Sequence, residues 1–263
     1  MNLYHYSIWG IPMKKFISNK IVLYSIGIIL FLIIWLVLSL LIGEQTLIFP
    51  GPIKTIKEVF NILQSNYIYK CLGLTFIRMI IGYFISLVLA LILGTIAGNN
   101  KYIKEIFKPS ITILKAIPTA AILFLFLVLL GAKNAPIVIV SLISFPILYE
   151  SIVGGYESIE KNIVDAMKID GENNLKNIIR VKFPLSIPYL LVGMASSFAL
   201  AFKIEIMAEV LTGDTTSGVG AAILAAQRND PSNMVPIFAY SFIAIFLVLI
   251  IDLISNLIKN KLR

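Results

Sequence analysis

Residues 21–43 read IVLYSIGIILFLIIWLVLSLLIG, 23 consecutive positions without a charge. A helix needs roughly 20 apolar residues to cross about 30 Å of hydrocarbon, and this run is long enough. It also exceeds the 7–15-residue core of a cleavable signal, and no small-x-small site follows it, so the reading is an uncleaved first span. Five further charge-free runs follow: 79–98 behind Arg78, 116–132, 134–149 before Glu150, 183–202 between Lys182 and Lys203, and 231–251 between Asp230 and Asp252. The two shorter runs either extend into their flanks or are partly broken at Pro118 and Pro146. The composition agrees. Of 263 residues 59% are hydrophobic and 14% charged, with a mean hydropathy of +0.93. Soluble domains are nearer 45–50% apolar and about 25% charged. The predicted fold class is all-α: a polytopic membrane bundle of about six transmembrane helices.

Placing both termini on the cytoplasmic side puts 14 lysines and arginines in inner segments against 5 in outer ones, the asymmetry that orients membrane proteins. It also accounts for the net charge of +8 without nucleic acid. The chain then divides into a cytoplasmic N-terminal segment (1–20), a membrane domain (21–258) and a short cytoplasmic tail (259–263). A single cysteine, Cys71, excludes a disulfide framework, and a single histidine, His5, excludes a histidine-based triad or multi-histidine metal site within one chain. Neither a catalytic set nor a metal site is expected. Trp9, Tyr24, Tyr67, Tyr69 and Tyr102 read as interfacial anchors.

Three connections are long enough to fold. After Pro50-Gly51-Pro52, the apolar residues Ile53, Ile56, Val59, Phe60 and Leu63 recur at helical spacing, either as an interfacial amphipathic helix or within a solvated connector. Residues 212–233 open with a glycine-rich stretch, Thr212-Gly213 to Gly218-Val219-Gly220. Such backbone at membrane depth needs cover from protein or a water-filled cavity, so this is a re-entrant element or a plain outer loop. The third connection, 156–184, is charged yet patterned. Ile159, Ile163 and Met167 form one stripe, Leu175, Ile178 and Ile179 another, and Gly171 separates them. A helix–glycine–helix unit of this kind either packs on the ends of its own spans or docks into a partner's groove.

Within that third connection, Asp165-Ala166-Met167 is followed by three residues and Gly171, then nine residues and Val181, then Lys182 and Phe183-Pro184. These intervals resemble the cytoplasmic motif of the permease subunits of bacterial ABC importers: Glu-Ala-Ala, three residues, Gly, nine residues, Ile, one residue, Leu-Pro. Asp, Met, Val and Phe stand where that motif has Glu, Ala, Ile and Leu. The segments 109–131, 144–148, 202–203 and 208–210 are similar to the nitrate/sulfonate/taurine-type members of the family, over about 49–258. The resemblance implies a type I ABC importer permease fold in the bacterial inner membrane, paired with a second permease chain, commonly as a homodimer. It implies a cytosolic ATPase dimer gripping Asp165, Ala166, Met167, Gly171, Val181, Phe183 and Pro184, and a soluble binding protein delivering solute outside. The implied solutes are small and polar or anionic: nitrate, sulfonates, taurine or thiamine precursors. No cofactor is implied for the chain itself, and no Gly-x-x-x-x-Gly-Lys-Ser/Thr phosphate loop occurs in it.

Charges inside lipid are costly and are functional candidates by default. Lys203, Glu205 and Glu209 lie toward the outer end of the fifth run, on the translocation path or satisfied between helices. Lys203 suits an anion and the glutamates a cation, so their signs conflict. Lys203 and Glu205 point about 200° apart on a helix. Glu150 and Asp252 read as interface or loop contacts, and Arg78 as reaching outer head groups. An ion-driven secondary transporter is the alternative, disfavoured because the span centres lack a relay of acids and histidines.

Overall fold

The computed structural model describes residues 20–42, 49–169, 175–213 and 218–262. Gly171, Trp9 and most of the N-terminal segment lie outside them. The described residues are helical, with no strand. Five helices are long and apolar enough to cross a membrane: α1 (Lys20–Ile42), α3 (Asn66–Asn99), α5 (Thr119–Glu157), α8 (Phe183–Thr212) and α10 (Val235–Leu262). The connections carry α2 (Pro52–Leu63), α4 (Lys101–Ala116), α6 (Lys161–Ile169), α7 (Leu175–Asn177) and α9 (Val219–Asn229).

Five long helices are compatible with about six crossings, because one of them joins two helices across a kink. The runs 116–132 and 134–149 fall largely in one element, α5, whose 39 residues would measure about 58 Å if straight. It is not straight: Gly131 sits at φ 75°, ψ 167°, a backbone open essentially to glycine alone. A second break lies at Ile117, which is extended as the residue before a proline should be. Pro146 stays inside the helix, so of the two readings of that run the unbroken one holds there. The α4 helix runs antiparallel to the last turns of α5, with Lys104 paired to Glu157 and Lys115 to Glu150. The limb leading up to Gly131 is therefore built from two pieces, α4 and 119–130, joined at Pro118.

Local signals explain the other boundaries. The Ser65 hydroxyl accepts from the Tyr67 amide at the start of α3, and the Asn100 side chain accepts from Tyr102 and Ile103 at the start of α4. Gly213, at φ 73°, ends α8 in the left-handed conformation. Pro52 occupies the first turn of α2, where its missing N–H costs nothing. Within α2, Thr55 and Ile62 are buried while Ile53 and Phe60 are exposed, so the expected amphipathic helix forms and lies against α10.

The core is the packing of α3, α5 and α8, centred on Met79, Ile139, Val140, Leu148, Ile152 and Phe202. Small residues let these helices approach closely. A methyl group on Gly82 of α3 would stand 2.4 Å from the Ile137 carbonyl of α5, and one on Gly193 of α8 would stand 2.1 Å from the Ser151 hydroxyl. Phe76 stacks on Phe202 at 4.8 Å, and the Tyr83 hydroxyl donates to the Met194 carbonyl at 2.9 Å. By contrast α1 is peripheral. Its apolar side chains are largely exposed, and it is tied down by Trp35 Nε1 donating to the Pro50 carbonyl and Ser39 to the Phe49 carbonyl, both at 3.1 Å.

Candidate functional site

Two constellations stand out, one at each end of the bundle. The first is the 156–184 connection. Its helix α6 makes no extensive contact with any other helix among the described residues. Asp165 and Ala166 are exposed, Met167 is buried, and a cavity of about 410 Å³ opens between Asn162, Ile163, Ala166, Met167, Asn177 and Val181. The second half departs from the expected separate amphipathic helix. The single turn α7 runs through a π-helical turn, Ile178–Lys182, directly into α8. Pro184 offers a physical reason: a proline inside a helix loses its bond to the carbonyl four residues back and crowds it, and a widened π turn is one way to relieve that crowding. Val181 and Phe183 are half-buried and Pro184 is exposed. Gly171 lies outside the described residues.

The second constellation joins α3, α8 and α9 around Glu209, which is 1% exposed. Its carboxylate lies 2.9 and 3.0 Å from the Thr75 hydroxyl, 3.4 Å from Arg78 Nη1 and 2.9 Å from the Gly220 amide, all of which donate to it. Thr75 in turn accepts from the Val219 amide at 2.9 Å. A carboxylate at the N-terminus of α9 meets both the free amides and the positive end of the helix dipole. The glycines make room for it. Gly218 has φ 104°, ψ 170°, and a Cβ there would stand 2.1 Å from Glu209 Oε1; one on Gly220 would stand 2.5 Å from Glu209 Cβ. The first turn of α9, Val219 to Ala222, is buried in consequence. Arg78 therefore pairs inward with Glu209, with 12% of its side chain exposed, and the expectation that it reaches outer head groups is corrected. The sequence reading missed Thr75 and Arg78 as partners of Glu209, since more than 130 residues separate them.

The remaining charges separate by face. Glu205 is fully buried, and neither of its oxygens has a hydrogen-bond partner among the described residues. Lys203, on the opposite side of α8, is half exposed and lies 3.2 Å from Asp252 on α10. Glu150 binds Lys115 through both oxygens at 2.9 Å. No cluster of histidine, cysteine and carboxylate able to hold a metal occurs among the described residues.

Comparison with known proteins draws these features together. Residues 86–263 match the family described as "Binding-protein-dependent transport system inner membrane component". The putative aliphatic sulfonates transport permease protein SsuC of Bacillus subtilis is 24% identical over 232 residues, 87% of this chain and 82% of that protein. The nitrate import permease protein NrtB of Synechococcus elongatus is 25% identical over 211 residues, 75% of this chain and 73% of that one. A probable ABC transporter permease protein of Brucella melitensis is 24% identical over 192 residues, 72% and 76% of the two chains. Among solved structures, an inward-facing conformation of the methionine ABC transporter MetNI superposes with a TM-score of 0.54 at 17% identity, over 74% of this chain and 94% of that one. That likeness is one of fold. With more than half its length matched, the chain belongs to the binding-protein-dependent transport system inner membrane components, the permease subunits of ABC importers.

Proposed function

We propose that this chain pairs with a second permease copy to form the pathway of an ABC importer for a small polar or anionic solute, and that a separate ATPase drives it through the 156–184 connection. The observation that carries the coupling role is α6: the motif residues Asp165, Ala166 and Met167 sit on a short helix with little packing of its own, next to an open groove. An apolar stripe beside an open groove fits helix-in-groove docking on a partner. The permease names of the relatives support the solute class. In this reading both termini face the cytoplasm of a bacterial cell, a soluble binding protein delivers solute at the opposite face, and residues 212–233 form a re-entrant element. Lys203 belongs to the solute path, while Glu209 holds α9 in place.

The test is reconstitution with the partner ATPase and binding protein. Gly171→Val should leave membrane insertion and complex assembly intact and abolish solute-stimulated ATP hydrolysis. Normal stimulation in that variant refutes the coupling role.

A further inference from the structure

Lys203 and Asp252 are exposed charges set well inside two of the long helices, α8 and α10. Counting residues, Lys203 lies about 14 Å from the C-terminal end of α8 and Asp252 about 15 Å from that of α10, at 1.5 Å per residue. Their side chains are 49% and 40% exposed, with Nζ and Oδ2 3.2 Å apart. The exposed surface around them is apolar, including Ile245, Phe246, Leu249 and Leu253 on α10. A charge facing hydrocarbon at such depth is strongly disfavoured, and ionisable groups there face the bundle interior or a water-filled cavity. This pair does not face the interior of its own bundle, since its ends are open.

We propose that Lys203 and Asp252 form a water-facing ion pair on the wall of the translocation pathway and together set its charge selectivity at this depth. Each is the resident counter-ion of the other, so the wall presents no net charge until one partner is removed. Lys203 is the group that a passing anion meets, and Asp252 competes with that anion for it. Glu205 and Glu209 take no part, being buried on the other side of α8. The inference rests on the permease reading but not on the ATPase contact.

The experiment uses the full chain assembled with its ATPase in proteoliposomes, with Cys71, its single cysteine, replaced by alanine. Single cysteines are introduced as K203C, D252C and, on the exposed apolar side of α3, F84C. Each is treated with membrane-impermeant methanethiosulfonates, one anionic (sulfonatoethyl) and one cationic (trimethylammonioethyl). K203C and D252C should both be modified and F84C should not. Adding K203Q to D252C should slow the anionic reagent about fourfold and speed the cationic one similarly, the effect of a unit charge about 5 Å away in water-like surroundings. Adding D252N to K203C should do the reverse. Silence at both positions would show a dry or lipid-facing pair and overturn the proposal. So would equal modification of all three sites, or reagent rates indifferent to the partner charge. None of these outcomes depends on the G171V result, so the two readings fail separately.

Discussion

Replacing Glu209 by alanine should be among the most damaging single changes in the membrane domain, for reasons that can be counted. The carboxylate receives Thr75, Arg78 and the Gly220 amide in a site with about 1% exposure. Its removal takes the carboxylate from a guanidinium with 12% of its side chain exposed and the acceptor from the buried Gly220 amide. Hydrogen bonds to charged groups contribute about 1.5–3 kcal/mol each, and breaking a buried pair by deleting one partner costs about 3–5 kcal/mol. These overlap and do not add, so Glu209→Ala should cost about 4 kcal/mol. Glu209→Gln keeps one acceptor oxygen and should cost about 2 kcal/mol, one to two charge-assisted hydrogen bonds. Because Arg78 and Glu209 share one network, Arg78→Ala in the Glu209→Ala background should cost at least about 1 kcal/mol less than it does alone. The assay is equilibrium unfolding in mixed micelles, paired with amide hydrogen exchange. Exchange should quicken at Val219 and Gly220 while the α5 core stays protected, since the loss is local to α9. A cost under about 1 kcal/mol with unchanged exchange at those two amides, against the 3–5 kcal/mol of a broken buried pair, refutes the assignment of Glu209 as the clasp of α9.

Two glycines test backbone strain against steric conflict. Gly131 and Gly218 both adopt positive φ with extended ψ, but only Gly218 faces an obstacle: nothing lies within 4 Å of a Cβ at Gly131. Gly131→Ala should cost about 1–3 kcal/mol from strain alone, and Gly218→Ala about 2 kcal/mol more from overpacking against Glu209. Micellar unfolding measures both, and Glu209→Ala should relieve most of the difference. The Lys115–Glu150 pair is half exposed at both ends, so Lys115→Ala should shift stability by less than about 1 kcal/mol despite its two short contacts. A larger loss in the same assay would mean that this pair is shielded from solvent in the assembled importer.

What could be read from sequence followed the reach of each signal. Charge-free runs located the long helices well where charges mark the ends, as with the run at 21–43 against α1. They failed where a charge is satisfied inside the bundle. The predicted run began at Met79 because Arg78 precedes it, yet α3 begins at Asn66, and Arg78 is neutralised by a carboxylate 131 residues away. Likewise Lys203 and Glu205 truncated the fifth run, while α8 continues to Thr212. The proline signals left both readings open. Pro118 marks a true break because the residue before it is extended, whereas Pro146 is absorbed within a well-packed helix. The motif spacing was legible, but the fusion of its second half into α8 was not, because amphipathic periodicity does not reveal whether one helix ends or merges into the next.

The contrast between the two ends of the bundle bears on how such a machine can move. A protruding element transmits force only when the body behind it is stiff. Here α3, α5 and α8 meet at glycines whose closest neighbours leave no room for a methyl group, and close-packed interiors shift as units rather than deform smoothly. Stiffness at the opposite end comes from a buried polar clasp that ties α9 to both α3 and α8 through Thr75 and Glu209. At the other end, α6 makes no extensive contact with other helices among the described residues yet leads into the π turn and then α8. A pull on α6 would thus reach a helix that carries Lys203 on one side and Glu209 on the other. Rotation of α8 about its own axis would move the exposed ion pair relative to α10, whereas the Glu209 network holds α9 to α8 and α3. On this argument, variants that loosen Glu209 should uncouple α9 from α8 without freeing Lys203 from Asp252. The charge preference of the thiol reagents at D252C should then survive Glu209→Gln, and loss of that preference would show that the two sides of α8 are not mechanically separate.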